Sequence, residues 1–513
     1  MDQLDTLSRS YTDSILGDNG STLSRQSTAD SHTRPGSRRK SHHSGLYYSS
    51  LEDTEQEETP VTPLPKLQMF IISIVLLSEP LTSTILFPFI YFMLKDFHLS
   101  DDEKEIGTYA GWITSVFFIA QFCTALTWGK ISDRYGRRPV LLIGLAGNAL
   151  STCLFGLSKN LAWAIAARAL CGTMNGNSGV ARSAVSEITD NTNKAKAFSI
   201  FGFCWGAGMI GGYLNHPVTN FPSLFGSSEF LKEYPYFLPC LVSAIGTTFG
   251  FIIAFFYLKE SNPNVLKRHE NNEYTSLLKN NVDQPEHAGI RQITKDSVLV
   301  IAGYSLFAFS TMVFDEVLPL YFTAPTYAGG LGLTSTEYAK MLAIMGIIQL
   351  VFQFVIYPAL TKRFSILGLC KFALLLFIPI YIVFPGLTVF KEWTAQHIKN
   401  QATGTMIFEL TYLFILLWRY FGNCIGFTGY GIMVSTSAAP EILGTVNGFC
   451  QSCLSLVRAI APTLGGSLWS YSLRSGHKYP FDYHLVYYFV VVLTLANLIQ
   501  SYFIPKSVSL GGR

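Results

Sequence analysis

Several charged residues of this 513-residue chain lie inside long apolar stretches, among them Glu79, Arg168, Asp315, Glu316, Arg419 and Arg458. In hydrocarbon, each charge costs at least about 2.5 kcal/mol unless it is paired or faces a water-filled cavity. A buried acid can bind and release a proton, and a nearby arginine changes how readily it does so. We therefore predict that these residues either couple proton movement to another process or form static ion pairs between helices.

The apolar stretches that hold these residues have the length of membrane-spanning helices, about 20 residues each. Segments 1 to 6 are 68–94, 108–129, 139–158, 161–181, 197–214 and 236–258, and segments 7 to 12 are 297–321, 338–359, 366–387, 408–435, 444–471 and 483–505. Only 14% of residues are charged, against about 25% in soluble globular proteins. The sequence predicts an all-α membrane protein with twelve transmembrane helices in two pseudo-symmetric six-helix bundles, 67–258 and 297–505.

Polar stretches flank these bundles. Residues 1–66 form a Ser/Thr-rich tail that we predict to be disordered, residues 259–296 a linker, and residues 506–513 a C-terminal tail. Thr59-Pro60, Thr62-Pro63 and the basic run before Ser41 resemble kinase sites, although a simple solvated tail explains them as well. The pattern E-x-x-x-L-L at Glu273, Leu277 and Leu278 resembles a signal that sorting adaptors recognise, and it favours a vacuolar or other endomembrane location over the plasma membrane.

Lysine and arginine are concentrated in the loops after segments 2, 4 and 8. These residues are Lys130, Arg134, Arg137, Arg138, Arg182, Lys194, Lys196, Lys362 and Arg363. Short basic loops face the cytoplasm in most helical membrane proteins. We call this face of the bundle the basic side and predict that it is cytoplasmic. Both termini and the linker then lie there too, because each is an even number of crossings away.

Several function classes find no support in the sequence. The net charge of +3 does not suggest nucleic-acid binding. The nine cysteines form no disulfide framework, and isolated histidines form no metal site, so no metal or cofactor is expected. Neither a phosphate-binding G-x-x-x-x-G-K-[ST] loop nor a recognisable pair of nucleophile and base is present. We therefore expect no enzyme activity, and partners limited to the bilayer, a small-molecule substrate, protons and possible adaptors and kinases, with a monomeric chain.

A recognisable motif follows segment 2, where Gly129 to Arg138 fits G-x-[LI]-[AGS]-D-R-[FY]-G-R-[RK]. Gly129 lets two helices approach closely, and Asp133 can accept hydrogen bonds from the amides at a helix N-terminus. The pattern resembles that of the major facilitator superfamily. This resemblance implies a conformational latch made of Gly129, Asp133, Arg134, Gly136, Arg137 and Arg138, with Glu187 as the candidate partner of Arg137. The alternative is a basic loop that only sets topology.

Small residues also recur in segment 5 and segment 11. Proton antiporters of the superfamily carry G-x-x-x-G-P-x-x-G-G in the fifth helix, and this chain matches it only loosely. The candidate helix-packing residues are Gly202, Gly206, Gly208, Gly211 and Gly212 in segment 5, and Pro462, Gly465 and Gly466 in segment 11. The missing proline weakens the inference of antiport, and plain packing of small residues explains the pattern equally well.

The stretches 87–98, 106–111, 128–139, 446–448 and 458–466 are similar to the zinc-induced-facilitator-like drug:proton antiporters of plants and fungi. This resemblance implies proton-coupled export or sequestration of drug-like molecules, organic ions or metal chelates, without zinc binding. It also implies that segments 1, 4, 7 and 10 line a central cavity, which favours Glu79, Arg168, Asp315, Glu316 and Arg419 as coupling residues and disfavours Arg458. In this family's R-x-x-x-G pattern, matched at Arg168, the arginine influences a nearby acid. A uniporter, a symporter and a non-transporting receptor remain alternatives.

Overall fold

The structure of the protein is a computed structural model that describes residues 62–84, 90–98, 103–190, 192–207, 229–266, 293–326, 329–473 and 478–509. These residues form helices and connecting loops, and the described ranges contain no β-strand. Several predictions concern residues outside these ranges. They are the tail up to residue 61, the sorting signal Glu273, Leu277 and Leu278, and the glycines Gly208, Gly211 and Gly212.

The first six predicted segments coincide with helices. They are Lys66–Thr84 and Ile90–Asp96 for segment 1, Glu103–Tyr135 for segment 2, Arg137–Gly156 for segment 3, Leu161–Met174 and Asn177–Glu187 for segment 4, Lys194–Ala207 for segment 5, and Phe237–Tyr257 for segment 6. A short helix, Glu229–Glu233, precedes segment 6. The prediction of helical spans in the first bundle is therefore confirmed over its described part.

The second six segments are helical as well. They are Lys295–Thr323 for segment 7, Ser335–Val351 to Tyr357–Arg363 through a π-helical turn for segment 8, Ile366–Val383 for segment 9, Gln401–Thr436 for segment 10, Leu443–Ser472 for segment 11, and Leu485–Ser501 for segment 12. Segment 9 continues through a 3₁₀ turn into the helix Leu387–His397. Seven helices of the described chain are long and apolar enough to cross a membrane by length and composition alone.

Two segment boundaries differ from the prediction because capping and backbone geometry, rather than hydropathy, end a helix. The stretch predicted as a basic loop after segment 2 is helical up to Tyr135, and Gly136, with φ of 105°, separates segments 2 and 3. Only glycine adopts such a φ without strain. Segment 4 breaks between Met174 and Asn177 and then continues to Glu187, so Arg182 lies inside a helix and not in a loop.

Large apolar side chains cover much of the outer surface. Examples with more than half of their area exposed are Phe249, Phe256, Ile347, Val355 and Val492. A water-soluble monomer rarely exposes extended apolar patches. Buried arginine, glutamine and asparagine side chains lie between the helices, among the apolar residues of the core. This arrangement fits a protein whose outer face contacts lipid and whose inner faces carry the chemistry.

Candidate functional site

Arg137 is the centre of a buried cluster on the basic side. Its guanidinium forms a fork on Glu187, with Nη2–Oε1 at 2.7 Å and Nε–Oε1 at 3.1 Å, and its Nη1 lies 2.7 Å from Asp133 Oδ1. Only 1% of the Arg137 side chain is exposed. Burial makes such charge-assisted hydrogen bonds strong, and losing one partner leaves an uncompensated charge. The three residues therefore hold the ends of segments 2, 3 and 4 together, and we call them the latch triad.

Asp133 connects the latch triad to the other half of the protein. Its carboxylate accepts the backbone N–H groups of Gly444 at 2.7 Å and Thr445 at 2.6 Å, and the Thr445 hydroxyl at 2.6 Å. These amides belong to the first turn of segment 11, where unpaired N–H groups and the helix dipole favour an anion. Asp133 therefore closes the basic side by binding across the two halves.

Sequence reasoning missed a fourth carboxylate, Glu260, which follows segment 6. It accepts the backbone N–H groups of Arg137 at 2.8 Å and Arg138 at 3.0 Å, and so caps the N-terminus of segment 3. A Cβ atom on Gly136 would overlap the Glu260 carboxylate, which explains the glycine there. The next residue, Ser261, donates to Glu187 Oε2 at 2.7 Å. No pattern in the sequence singles out Glu260, because its contact with Arg137 spans more than 120 positions.

The other residues of the predicted latch have separate positions. Arg134 is exposed, and its guanidinium lies over the ring of Tyr135 at 5.3 Å. Arg138 donates to the carbonyl of Phe255 at 2.6 Å, in segment 6. Gly129 packs against segment 11, where a Cβ atom would overlap the Gly444 carbonyl oxygen. Gly129 therefore allows the close approach of the two halves, while Arg134 takes no part in it.

A row of polar contacts continues from Asp133 along segment 11, and we call it the seam. It joins Asn447 to Ser183 at 3.0 Å, Gln451 to Arg182 at 3.4 Å, Ser455 to Gln121 at 2.6 Å, and Arg458 to Glu79 at 3.1 Å. The segment 11 residues are three or four positions apart and so share one helical face. Each contact crosses between the two halves. The seam therefore links the halves from the basic side to the level of Glu79.

Glu79 lies at the inner end of the seam and is almost completely buried, with 1% exposed. Its carboxylate accepts hydrogen bonds from Arg458 Nη1, from Gln121 Nε2 at 3.3 Å, and from the Ser178 hydroxyl. Ser178 belongs to the first turn of the half-helix that follows the break in segment 4. At 1.5 Å per residue, Glu79 lies about 20 Å from the start of its helix, near the middle of a bilayer core.

Arg458 and Arg168 reverse the roles that the sequence suggested. Arg458 was disfavoured because segment 11 was expected behind the cavity, yet it is the ion-pair partner of Glu79. Arg168 was expected to act on a nearby acid. Instead it donates to the backbone carbonyl of Thr82 at 3.2 Å and stacks on Phe117 at 4.6 Å. Arg168 forms no ion pair with any residue that the structure describes.

Arg182, which the sequence placed in a basic loop, is another buried cation of segment 4. Its guanidinium lies 5.6 Å from the ring centre of Phe201 and 5.8 Å from that of Tyr304. Phe201 belongs to the first half and Tyr304 to the second. Cation–π contacts with both halves hold the charge of Arg182 at their interface. Among the residues that the structure describes, Arg182 has no carboxylate partner.

The second half contains its own ion pair between segments 7 and 10. Asp315 Oδ1 lies 2.8 Å from Arg419 Nη1, and Arg419 also donates to the Thr311 carbonyl at 3.1 Å. Arg419 is fully buried, whereas the Asp315 side chain is 45% exposed. Glu316 is exposed as well and lies beside Gly465 of segment 11. The carboxylate of Asp315 is therefore partly exposed, whereas its partner Arg419 is not.

The glycines of the predicted helix-packing motif differ in their surroundings. Gly202 and Gly206 lie in the helix Lys194–Ala207. A Cβ atom on Gly465 would lie 3.2 Å from the Val313 carbonyl of segment 7, and one on Gly466 would meet no atom within 4 Å. Pro462 lies inside the segment 11 helix. Gly465 thus permits packing between segments 7 and 11.

In the described ranges, no three His, Cys, Asp or Glu side chains lie together as the ligands of a metal ion would.

Replacing Asp133 with alanine tests the bond across the halves. We expect the substitution to slow transport about tenfold without abolishing substrate binding, because a hydrogen bond to a charged group contributes about 1.5–3 kcal/mol and Asp133 is not among the residues predicted to line the central cavity. Hydrogen exchange at the amides of Gly444 and Thr445 should become faster, since both lose their acceptor. As a control, Arg134→Ala should leave exchange and transport near wild type. Unchanged exchange in Asp133→Ala would contradict the assignment of Asp133.

Comparison with known proteins identifies relatives in sequence and in fold. The profile of the Major Facilitator Superfamily matches residues 72–462. A major facilitator superfamily multidrug transporter of Aspergillus fumigatus is 27% identical, covering 86% of this chain and 84% of the relative. Protein ZINC INDUCED FACILITATOR-LIKE 1 of Arabidopsis thaliana is 28% identical, and the match covers 85% of this chain and 91% of the relative. The solved structure of the proton:xylose symporter XylE superposes with a TM-score of 0.62 at 14% identity. The match covers 87% of this chain and 97% of XylE.

Proposed function

The chain belongs to the Major Facilitator Superfamily, and we propose that this membrane transporter exchanges protons for a small organic solute. The observation that carries this proposal is the buried ion pair between Glu79 and Arg458, because it joins the two halves across the centre of the protein. The relative named as a multidrug transporter supports a drug-like molecule as the solute, and we include organic ions and metal chelates in the proposed solute class.

Protonation of Glu79 would couple the proton to the movement of the halves. A neutral carboxyl group no longer pairs with Arg458, and removing one partner of a buried pair costs about 3–5 kcal/mol. The lost free energy weakens the contact that holds the two halves together. Protonation of Glu79 therefore favours separation of the halves on the basic side. Halves 67–258 and 297–505 would then rock about the midplane, joined by the linker 259–296.

Asp315 is the second candidate for coupling or for contact with the solute. It is exposed beside the buried Arg419, so a cationic group of a solute can compete with Arg419 or with a proton for its carboxylate. Since Asp315 lies about 30 Å along its helix from the basic side, it would be accessible when that side is closed. We propose that Asp315 receives ligands from the side opposite to the latch triad.

The orientation and location follow from the basic loops and from the motifs. We propose that the basic side and both termini are cytoplasmic, so that the closed latch triad and seam correspond to an outward-facing state. The E-x-x-x-L-L pattern supports residence in a vacuolar or other endomembrane compartment through a sorting adaptor. Fluorescence microscopy of the tagged chain tests this location, and steady labelling of the plasma membrane alone would contradict it.

Flux into proteoliposomes under an imposed pH gradient tests the function. With a panel of organic solutes, we expect wild-type protein to move at least one solute against the direction of proton flow. Asp315→Asn should reduce this flux at least about tenfold, because its neutral amide pairs weakly with Arg419 or a cationic solute. Solute and proton movement in the same direction would indicate a symporter, and flux independent of pH a uniporter. No flux with any solute would favour a receptor.

A further inference from the structure

The chain enters segment 1 through a short non-helical stretch, residues 62–65, that is attached to the loop between segments 4 and 5. The backbone N–H of Thr62 donates to the Thr192 hydroxyl at 3.2 Å, and its carbonyl accepts from Asn193 Nδ2 at 3.2 Å. The Thr62 side chain also lies close to the carboxylate of Asp190 and stabilises its ionised form. A single residue therefore provides three contacts between this stretch and the loop.

Asp190 is the anion at the centre of this attachment. Its carboxylate accepts the N–H of Thr192 at 2.8 Å and the Thr192 hydroxyl at 2.6 Å. The hydrogen bonds from Thr192 and Thr62 lower the pKa of Asp190 to about 2, so the group is ionised at neutral pH. Asp190 follows Glu187 of the latch triad by three positions. The attachment therefore lies next to the cluster that closes the basic side.

Thr62 combines exposure with an extended backbone. Both Thr62 and Pro63 are exposed, and a residue before proline is restricted to extended conformations. Of all the serines and threonines in the chain, only Thr59 and Thr62 precede a proline. A kinase directed to Thr-Pro would thus meet two candidate residues in the whole protein. Thr62 is the one of these two that the structure describes, and it takes part in the attachment.

We propose that Thr62 is a phosphorylation site whose modification releases residues 62–65 from the loop between segments 4 and 5. In this step a proline-directed kinase transfers the γ-phosphoryl group of ATP. A bond forms between Thr62 Oγ1 and phosphorus, the bond from phosphorus to the β–γ bridging oxygen breaks, ADP leaves, and the hydroxyl proton passes to the base of the kinase. The product carries a charge of about −1.5 to −2 at neutral pH.

The phosphate group cannot keep the contacts of the hydroxyl. In its dianionic form it has no proton to donate to Asp190, and it brings a second anion close to that carboxylate. Lys194, the first residue of the segment 5 helix, interacts electrostatically with Asp190. Its single positive charge does not balance the carboxylate and the phosphate together. Repulsion therefore outweighs attraction, and the stretch separates from the loop.

Hydrogen exchange of full-length protein in nanodiscs tests this proposal. The protein is treated with a proline-directed kinase and ATP, the modified residues are mapped by mass spectrometry, and exchange is measured over residues 188–196. Wild-type protein and Thr59→Ala should both be modified at Thr62, with exchange in the loop at least about tenfold faster after treatment, since several hydrogen bonds are lost. The matched variant Thr62→Ala should show no change on treatment.

Two results would overturn the proposal. One is modification of Thr59 with Thr62 left unmodified in all samples. The other is a phosphorylated Thr62 with unchanged or slower exchange in the loop, which would mean that Lys194 or another cation binds the phosphate. The experiment needs no solute, so its outcome is independent of the transport assay above.

Discussion

Glu79→Gln is expected to reduce pH-driven solute flux at least about 100-fold. Glutamine has nearly the same shape as glutamate and can keep the hydrogen bonds to Gln121 and Ser178. Its amide carries no charge to pair with Arg458 and binds no proton near neutral pH. A loss of about 3 kcal/mol in the balance between the two states corresponds to a factor of more than 100. Flux in proteoliposomes under a pH gradient measures the effect.

The matched controls separate coupling from folding. The double variant Glu79→Gln with Arg458→Gln removes both charges and should restore thermal stability, because replacing a whole buried pair is often neutral or stabilising. It should not restore proton-driven flux, since no titratable group replaces Glu79. Proton-driven flux that survives Glu79→Gln would show that Glu79 does not couple the proton, and Asp315 would become the leading candidate.

Gly129→Val is expected to prevent closure of the basic side and so to lower transport to below about one tenth of wild type. A Cβ atom at this position overlaps the Gly444 carbonyl oxygen, and backbone atoms cannot move away as a flexible side chain can. Overpacking of this kind costs about 1–3 kcal/mol, and the cost applies to the closed state alone. Hydrogen exchange over residues 443–458 should become faster as the seam opens.

Gly111→Val provides the control on the same helix. A Cβ atom on Gly111 meets no atom within 4 Å, so valine there changes local helix propensity without a clash. Transport and exchange in segment 11 should remain near wild type in this variant. Equal loss of transport in the two variants would mean that valine in segment 2 is harmful in general, and the close approach at Gly129 would not be the cause.

The sequence was a good guide to features that depend on neighbouring residues. Hydropathy over about 20 residues located the twelve helical segments, because the cost of burying polar groups in lipid adds up locally along a span. The motif from Gly129 to Arg138 identified Asp133 as a ligand for helix amides and Arg137 as a carboxylate binder. Helix ends were less accurate, since Gly136 and the break after Met174 depend on backbone conformation.

Partners across the protein could not be assigned from the sequence. Glu79 and Arg458 are separated by 379 positions, and Glu260 and Arg137 by 123. Which faces of two helices meet depends on packing between whole segments, and hydropathy carries no information about that choice. For this reason the sequence did not identify Arg458 as the ion-pair partner of Glu79, or the contacts of Arg168 with the Thr82 carbonyl and the Phe117 ring.

By itself, the sequence determined that the chain is a bundle of apolar helices with a few costly charges inside, because the energy of each residue in lipid is a local property. Only the tertiary structure decided which charges meet. It paired Glu79 with Arg458 between the halves, left Arg168 and Arg182 on aromatic rings, and placed Asp315 beside Arg419. Electrostatic pairing falls off over a few ångströms, so it depends on the packing of segments distant in sequence.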